Sequence, residues 1–191
     1  ADVVFSPNYL LLPTEKPLIV AIHDLYFMEG SGQDYFGGSF LAAHLRRHLE
    51  NRAALAVTDS IAVRTQLLGR FPRMEGRVEV VYPGLRPRYR QRATEPVCSA
   101  LRSELGLPKQ YLLCVGDLST RKNQLRLVDA RRRIGEDEAP PLVLCGLSDE
   151  SRRRVAARCK EIGLRSDLVI TLPYLEDDQL HPLMSGAHAL I

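Results

Sequence analysis

The chain has 191 residues, 45% of them hydrophobic and 26% charged, with a formal net charge of +3. That is enough apolar material for one large domain or two small ones, and too little net charge to argue for a nucleic-acid partner. No apolar run approaches the ~18 residues of a membrane-spanning helix, and no signal-peptide pattern opens the chain.

In chain order, residues 2–7 read as a strand entering a loop, and 18–22, an apolar run after Lys16-Pro17, as a buried strand. Residues 26–39, with four glycines and four aromatics, predict an irregular loop. Over 40–52, Phe40, Leu41, Leu45 and Leu49 fall near helical spacing, with Arg46, Arg47 and Glu50 on other faces. A short strand at 54–57 follows, then a helix capped by Asp59 or Ser60 and ended by Gly69 and Pro72. Residues 77–82 alternate as a strand that Pro83-Gly84 closes.

Residues 84–96, with two prolines, four arginines and little apolar content, have the composition of a linker. A helix at 98–105 leads into a βα series: strand 110–115, helix 123–134, strand 141–146, helix 149–162, strand 167–171, helix 177–186 and a strand from 188. This alternation predicts the α/β class with parallel sheets and right-handed crossovers. Four cysteines without CxxC spacing, two of them inside strand runs, predict free thiols in a reducing cytoplasm.

Two constellations could carry chemistry. In the segment LLCVGDLSTRKNQLRLV, residues 112–128, a strand runs through Gly116 into a polar loop, the pair Arg121-Lys122 and then a helix. A diphosphate needs fixed positive potential, which a helix N-terminus, its N–H groups and two cations can supply. Gly116 would admit close backbone approach, and Ser119 or Thr120 would cap the helix or donate to a phosphate oxygen. The other reading is two solvated cations in a polar loop. His23, at the end of the strand LIVAI, would face a ligand as hydrogen-bond donor or bond polariser, or else be a histidine satisfied by a backbone carbonyl. Asp24 would orient its ring or cap the next loop.

The remaining clusters read as structural. His44 and His48 are spaced i,i+4 without an HExxH pattern or a third ligand nearby, and 136–138 and 176–178 are acidic runs in a loop and at a helix start. The arginine triplets 131–133 and 152–154 read as solvated helix faces, with no aromatics interleaved as a nucleic-acid surface would have. GxGxxG, P-loop and GxSxG motifs are absent, which argues against a Rossmann dehydrogenase, a P-loop NTPase and an α/β-hydrolase.

Taken together, FSPNYLLLP (5–13), KPLIVAIHDLYF (16–27), AVTDSIAVRTQLL (56–68), RVEVVYPGL (77–85), YLLCVGDLSTRKNQLRLVDA (111–130), PLVLCG (141–146) and the stretch from 168 to 191 are collinear with the retaining glycosyltransferases of family 4. The chain resembles their mannosyltransferase-like subgroup, which reads HDLxF and later GxLxxRKN. The resemblance implies a GT-B architecture: 1–84 as the C-terminal part of an acceptor-side Rossmann-like domain, 85–96 as linker, and 97–191 as the first part of a donor-side one. It implies transfer of a mannose- or glucose-type hexose, with retention, from a GDP- or UDP-sugar to a saccharide or lipid-linked acceptor. No metal or other cofactor is implied. Arg121 and Lys122 would meet the donor diphosphate, Gly116 would start the loop, and His23 would lie near the donor sugar as the catalytic residue.

Such an enzyme is expected in the cytoplasm, with peripheral contact at the inner membrane face. The family's glycine-rich N-terminal loop would precede Ala1 and its E-x7-E motif would follow Ile191, so the chain is expected to be a central fragment, inactive alone. Asp117 and Thr120 depart from the family pattern, an acid beside phosphates being tolerable only if it points away. A catalytically inactive module binding a nucleotide or a partner protein is the competing expectation. A nucleotide-sugar epimerase is a third.

Overall fold

The computed structural model describes residues 2–28, 38–135 and 138–191, with the side chains of Gly38 and Ser39 left aside. The chain divides into two compact units, Ala1–Gly84 and Leu85–Ile191.

The first unit carries a parallel sheet in the order β1-β2-β3-β4, formed by β1 (Val4–Ser6), β2 (Leu18–Ile22), β3 (Ala53–Thr58) and β4 (Val78–Val80). Helices α1 (Gly38–Arg52) and α2 (Ile61–Arg70) connect its later strands. Leu18, Val20, Ala21 and Ile22 are all buried, as expected of a strand covered on both faces, and Leu45, Leu49, Leu67 and Met74 complete that core. Ser60 caps α2, its Oγ accepting from the Val63 N–H at 3.2 Å. The helix runs through Gly69 and ends at Arg70, one residue past the glycine, because a glycine is costly but permitted inside a helix whereas proline stops it. Of the loop expected at 26–39, Tyr26–Met28 form a 3₁₀ turn, residues 38 and 39 begin α1, and 29–37 lie outside the described residues.

The second unit comprises α3 (Glu95–Glu104), β5 (Leu112–Val115), α4 (Gln124–Arg133), β6 (Leu142–Cys145), α5 (Asp149–Glu161), β7 (Val169–Leu172), α6 (Asp177–Gly186) and β8 (Ala189–Leu190). Its strands are parallel in the order β7-β6-β5-β8. Strand alternation sorts the core onto two faces. Leu142 and Leu144 pack with Val128 of α4 and Val155 of α5, while Val143 and Cys145 pack with Leu101 of α3 and Leu183 of α6. All four cysteines are buried free thiols.

Two sequence expectations change here. Residues 85–96 do not run free as a linker within this unit. A 3₁₀ turn at Pro87–Arg90 packs on α6, where Asp177 accepts from Arg86 and from the Tyr89 hydroxyl (3.1 Å), and His181 bonds the Gln91 carbonyl at 2.8 Å. α3 starts at Glu95 because Pro96 falls in its first turn, where no backbone N–H is required. Arg131 is likewise not solvated: it is 2% exposed, and its guanidinium donates to the carbonyls of Ile134, Gly135 and Ala139, closing the turn after α4.

The last four carbonyls of a helix need partners from outside it. At α6 the buried Tyr111 hydroxyl donates to the Leu183 carbonyl at 2.6 Å and Arg92 donates to that of Ser185. Burial pushes the Tyr111 hydroxyl up to about 12 from its ordinary 10.0, so the stability gained by keeping it neutral is complete below pH 10.0 and falls as pH rises to about 12. Tyr111→Phe leaves the Leu183 carbonyl unpaired and is expected to cost about 1–3 kcal/mol, read as a lower urea midpoint for the second unit at unchanged slope.

Candidate functional site

In the second unit the chain steps from β5 to β6 to β7 on one side and returns to place β8 on the other side of β5. In open parallel sheets, the crevice at such a reversal, outside the carboxyl ends of the strands, is where ligands bind. The loop leaving β5 there contains Gly116, Ser119, Thr120, Arg121 and Lys122, all the loop residues singled out in the sequence.

Gly116 has φ +120° and donates its N–H to the Cys145 carbonyl at 2.7 Å. A side chain there is disfavoured by that φ, and a Cβ, 2.1 Å from Lys122 Nζ, would displace the ammonium. The Lys122 ammonium folds back over this glycine and donates to the Val115 carbonyl at 2.6 Å. Ser119 Oγ accepts from the Lys122 N–H at 3.2 Å and so shapes the turn. The N-cap of α4 is instead Asn123, in left-handed backbone at φ 56°, without a side-chain cap bond. Among the described residues the exposed side chains of Thr120 and Arg121 have no recorded hydrogen bond or ion pair. The loop thus presents an uncommitted guanidinium beside a tethered ammonium.

Two neighbours that the sequence reading did not bring into the site fix this geometry. Gln124, at the first position of α4, is 1% exposed. Its amide Nε2 donates to the carbonyls of Gly116 (3.2 Å) and Asp117 (2.7 Å), and its Oε1 accepts from the Ser119 N–H at 3.1 Å. A glutamine opening a helix gives no sequence signal for such a staple. Asp117, the acid that departs from the family pattern, engages the next βα turn. Its Oδ1 accepts from the Ser148 N–H at 3.1 Å and the Ser148 hydroxyl at 3.4 Å, at the start of α5. Hydrogen bonding from Ser151, then from Ser148 and Leu118 against a smaller desolvation effect, holds this carboxyl below the ordinary range.

In the first unit His23 follows β2 directly. Its Nδ1 lies 2.9 Å from Asp59 Oδ2 and its Nε2 lies 2.9 Å from the Pro7 carbonyl. The Pro7 carbonyl above all, and then Asp59, raise the imidazole above its ordinary 6.5 against a smaller desolvation effect. The stability this adds is complete below pH 6.5 and is lost as pH rises through the raised value. Asp24 accepts from the Tyr26 N–H at 3.1 Å and caps the 3₁₀ turn, so Asp59 and not Asp24 bonds the ring. A usable signal existed: β2 and β3 are adjacent parallel strands, so the residues just after each emerge side by side.

The other clusters stay apart from this chemistry. His44 and His48 lie along α1 with tilted rings, centroids 5.1 Å apart and planes at 56°, and Asp177 is taken up by Arg86 and Tyr89. Glu136 and Asp137 lie outside the described residues. Among the described residues no group of three or more His, Cys, Asp or Glu side chains could hold a metal ion, and no helix is long and apolar enough to cross a membrane.

No protein-family model and no curated protein matches the chain. Solved structures do. The chain is similar to Anabaena HepE in complex with UDP-glucose, at 21% identity, covering 92% of this chain and 46% of that one with a TM-score of 0.70. The catalytic domain of starch synthase IV from Arabidopsis thaliana, bound to ADP and acarbose, matches at 12% identity over 99% of this chain and 51% of that one (TM-score 0.61). UDP-N-acetylglucosamine 2-epimerase from Rickettsia bellii matches at 14% identity over 91% and 44% (TM-score 0.57). The chain therefore spans about half the length of the structures it matches. Its two parallel α/β sheets have the GT-B fold, with tandem Rossmann-like domains.

Gln124→Leu removes three bonds from the β5 loop without emptying its space. The Ser119 amide is expected to exchange hydrogen at least fivefold faster, corresponding to about 1 kcal/mol or more, while β5 amides keep their protection.

Proposed function

We propose that this chain carries the donor-diphosphate site of a retaining GT-B glycosyltransferase, one that moves a mannose- or glucose-type hexose from a GDP- or UDP-sugar to a saccharide or lipid-linked acceptor. The observation that carries the proposal is the β5 loop: at the strand-order reversal it combines an uncommitted Arg121 with a Lys122 tethered over the bare backbone of Gly116. HepE was solved with UDP-glucose and starch synthase IV with ADP, and both share this fold, which supports a nucleotide-linked donor here.

In this reading the bond from the sugar C1 to the diphosphate oxygen breaks with its electron pair going to the phosphate. The acceptor oxygen forms the new bond to C1 on the same face, and its proton passes to the departing phosphate. Charge grows on the leaving group as that bond opens. Arg121, Lys122 and the start of α4 meet it with fixed positive potential, in the manner of an oxyanion site and without a required metal. We assign His23 to the donor sugar, and the reaction to the cytoplasm with peripheral contact at the inner membrane face.

The epimerase likeness favours a second reading, in which the nucleotide-sugar is rearranged and not transferred. A labelled nucleotide-sugar incubated with the whole protein separates the two: label in an acceptor means transfer, and a new sugar still on the nucleotide means epimerisation. Binding with neither product points to an inactive module.

A hydrogen bond to a charged group is worth about 1.5–3 kcal/mol. Arg121→Ala and Lys122→Ala are therefore each expected to weaken UDP-glucose or GDP-mannose binding to the whole protein by roughly 10- to 150-fold in calorimetry. Equal affinity in both variants and the parent removes the diphosphate from this loop.

A further inference from the structure

We infer that Asp59 is a positioning residue for His23, fixing one ring proton on Nδ1 so that Nε2 is the nitrogen offered to a ligand. The inference rests on the reading of His23 as a donor-sugar contact.

Register brings the pair together. Ile22 of β2 stands opposite Thr58 of β3, so His23 and Asp59 leave neighbouring strands one step later, at the carboxyl edge of the sheet. A carboxylate only accepts hydrogen bonds, so the 2.9 Å contact with Asp59 Oδ2 requires the proton on His23 Nδ1. Helix capping does not explain Asp59, because the Ser60 hydroxyl fills that role. A carboxylate bonded to one imidazole nitrogen, fixing the tautomer and the aim of the other, is the arrangement that orients catalytic histidines elsewhere.

The second nitrogen shows what it is poised to meet. Nε2 faces the Pro7 carbonyl at 2.9 Å, another group that only accepts, so the geometry favours a ring protonated on both nitrogens. Tyr9 packs edge-on against it, with centroids 6.1 Å apart and planes at 86°. The charged groups acting on the ring among the described residues are Asp59, from the β3–α2 turn, and Asp24, from its own segment. Both are acids, and both favour the cation. Nε2 is thus taken up by the carbonyl of the exposed Pro7, and a ligand oxygen reaches it by displacing that carbonyl while the Asp59 bond stays as the anchor. His23 is thereby a donor to a sugar hydroxyl or phosphate oxygen, and not a base, until pH rises far enough to strip Nε2. Nε2 then becomes a lone pair facing an oxygen, and the contact turns repulsive.

Nitrogen-detected NMR of the imidazoles in the 191-residue chain tests the pairing without any substrate. His23 is expected to titrate above 6.5 with Nδ1 retaining its proton in the neutral form. Asp59→Asn should lower the titration, leaving the part of the shift that the Pro7 carbonyl supplies, and mix the tautomers, and Asp59→Glu should restore part of what is lost. A titration that does not move in Asp59→Asn, or a neutral form protonated on Nε2, overturns the inference. Binding of UDP-glucose to the whole protein supplies the second arm: the alkaline loss of affinity should move to lower pH in Asp59→Asn and vanish in His23→Gln. An affinity whose pH dependence is the same in the parent, Asp59→Asn and His23→Gln overturns the ligand-facing role. If His23 shifts as expected but no nucleotide-sugar binds the parent protein, the functional reading fails while the Asp59–His23 pairing stands.

Discussion

The second unit is organised by one close approach. Where β5 and β6 end side by side, Gly116 and Gly146 both have positive φ, and a Cβ on Gly146 would come within 3.3 Å of the Gly116 backbone. Two strands can turn away at the same level here only because neither carries a side chain at the turn. The β5 loop inherits its path from that turn. The ammonium of Lys122 occupies the space a side chain would have taken, and Gln124 ties the same two residues, Gly116 and Asp117, from the helix side. A cation is thus held above bare backbone by covalent geometry and short local bonds, with little left to reorganise when an anion arrives.

The two candidate regions solve different problems with different chemistry. The loop of the second unit uses the charged side chains of Arg121 and Lys122. The His23 region uses a group that can change state, and places acids around it so that the cationic form persists to higher pH. In the proposed transfer a leaving diphosphate needs charge at all times, whereas a sugar hydroxyl needs direction, which a ring anchored by Asp59 would supply.

The alternation of strands and helices and the residues of the β5 loop were legible in the sequence, because apolar runs, glycines and paired cations are local features. What escaped were partnerships made by register and by burial. Nothing around position 124 announces that its amide will be buried under a loop, and Arg131 reads as one arginine of three until a carbonyl-lined turn encloses it. Residues 85–96 read as a linker from composition, yet Tyr89, Arg86 and Arg92 find partners on a helix about ninety positions further along. Asp24 and Asp59 could each have served His23, and the choice follows from a 3₁₀ turn that takes Asp24 first.

Asp117 has a consequence for selectivity within its own domain. Helices α4 and α5 follow adjacent parallel strands, so both begin at the carboxyl edge of the sheet, and both offer positive potential there. The Asp117 carboxylate occupies the start of α5 as a tethered anion, at an effective concentration that a dissolved phosphate does not match. The domain carries its own occupant for one of two adjacent helix starts, and the loop proposed for the donor lies at the other.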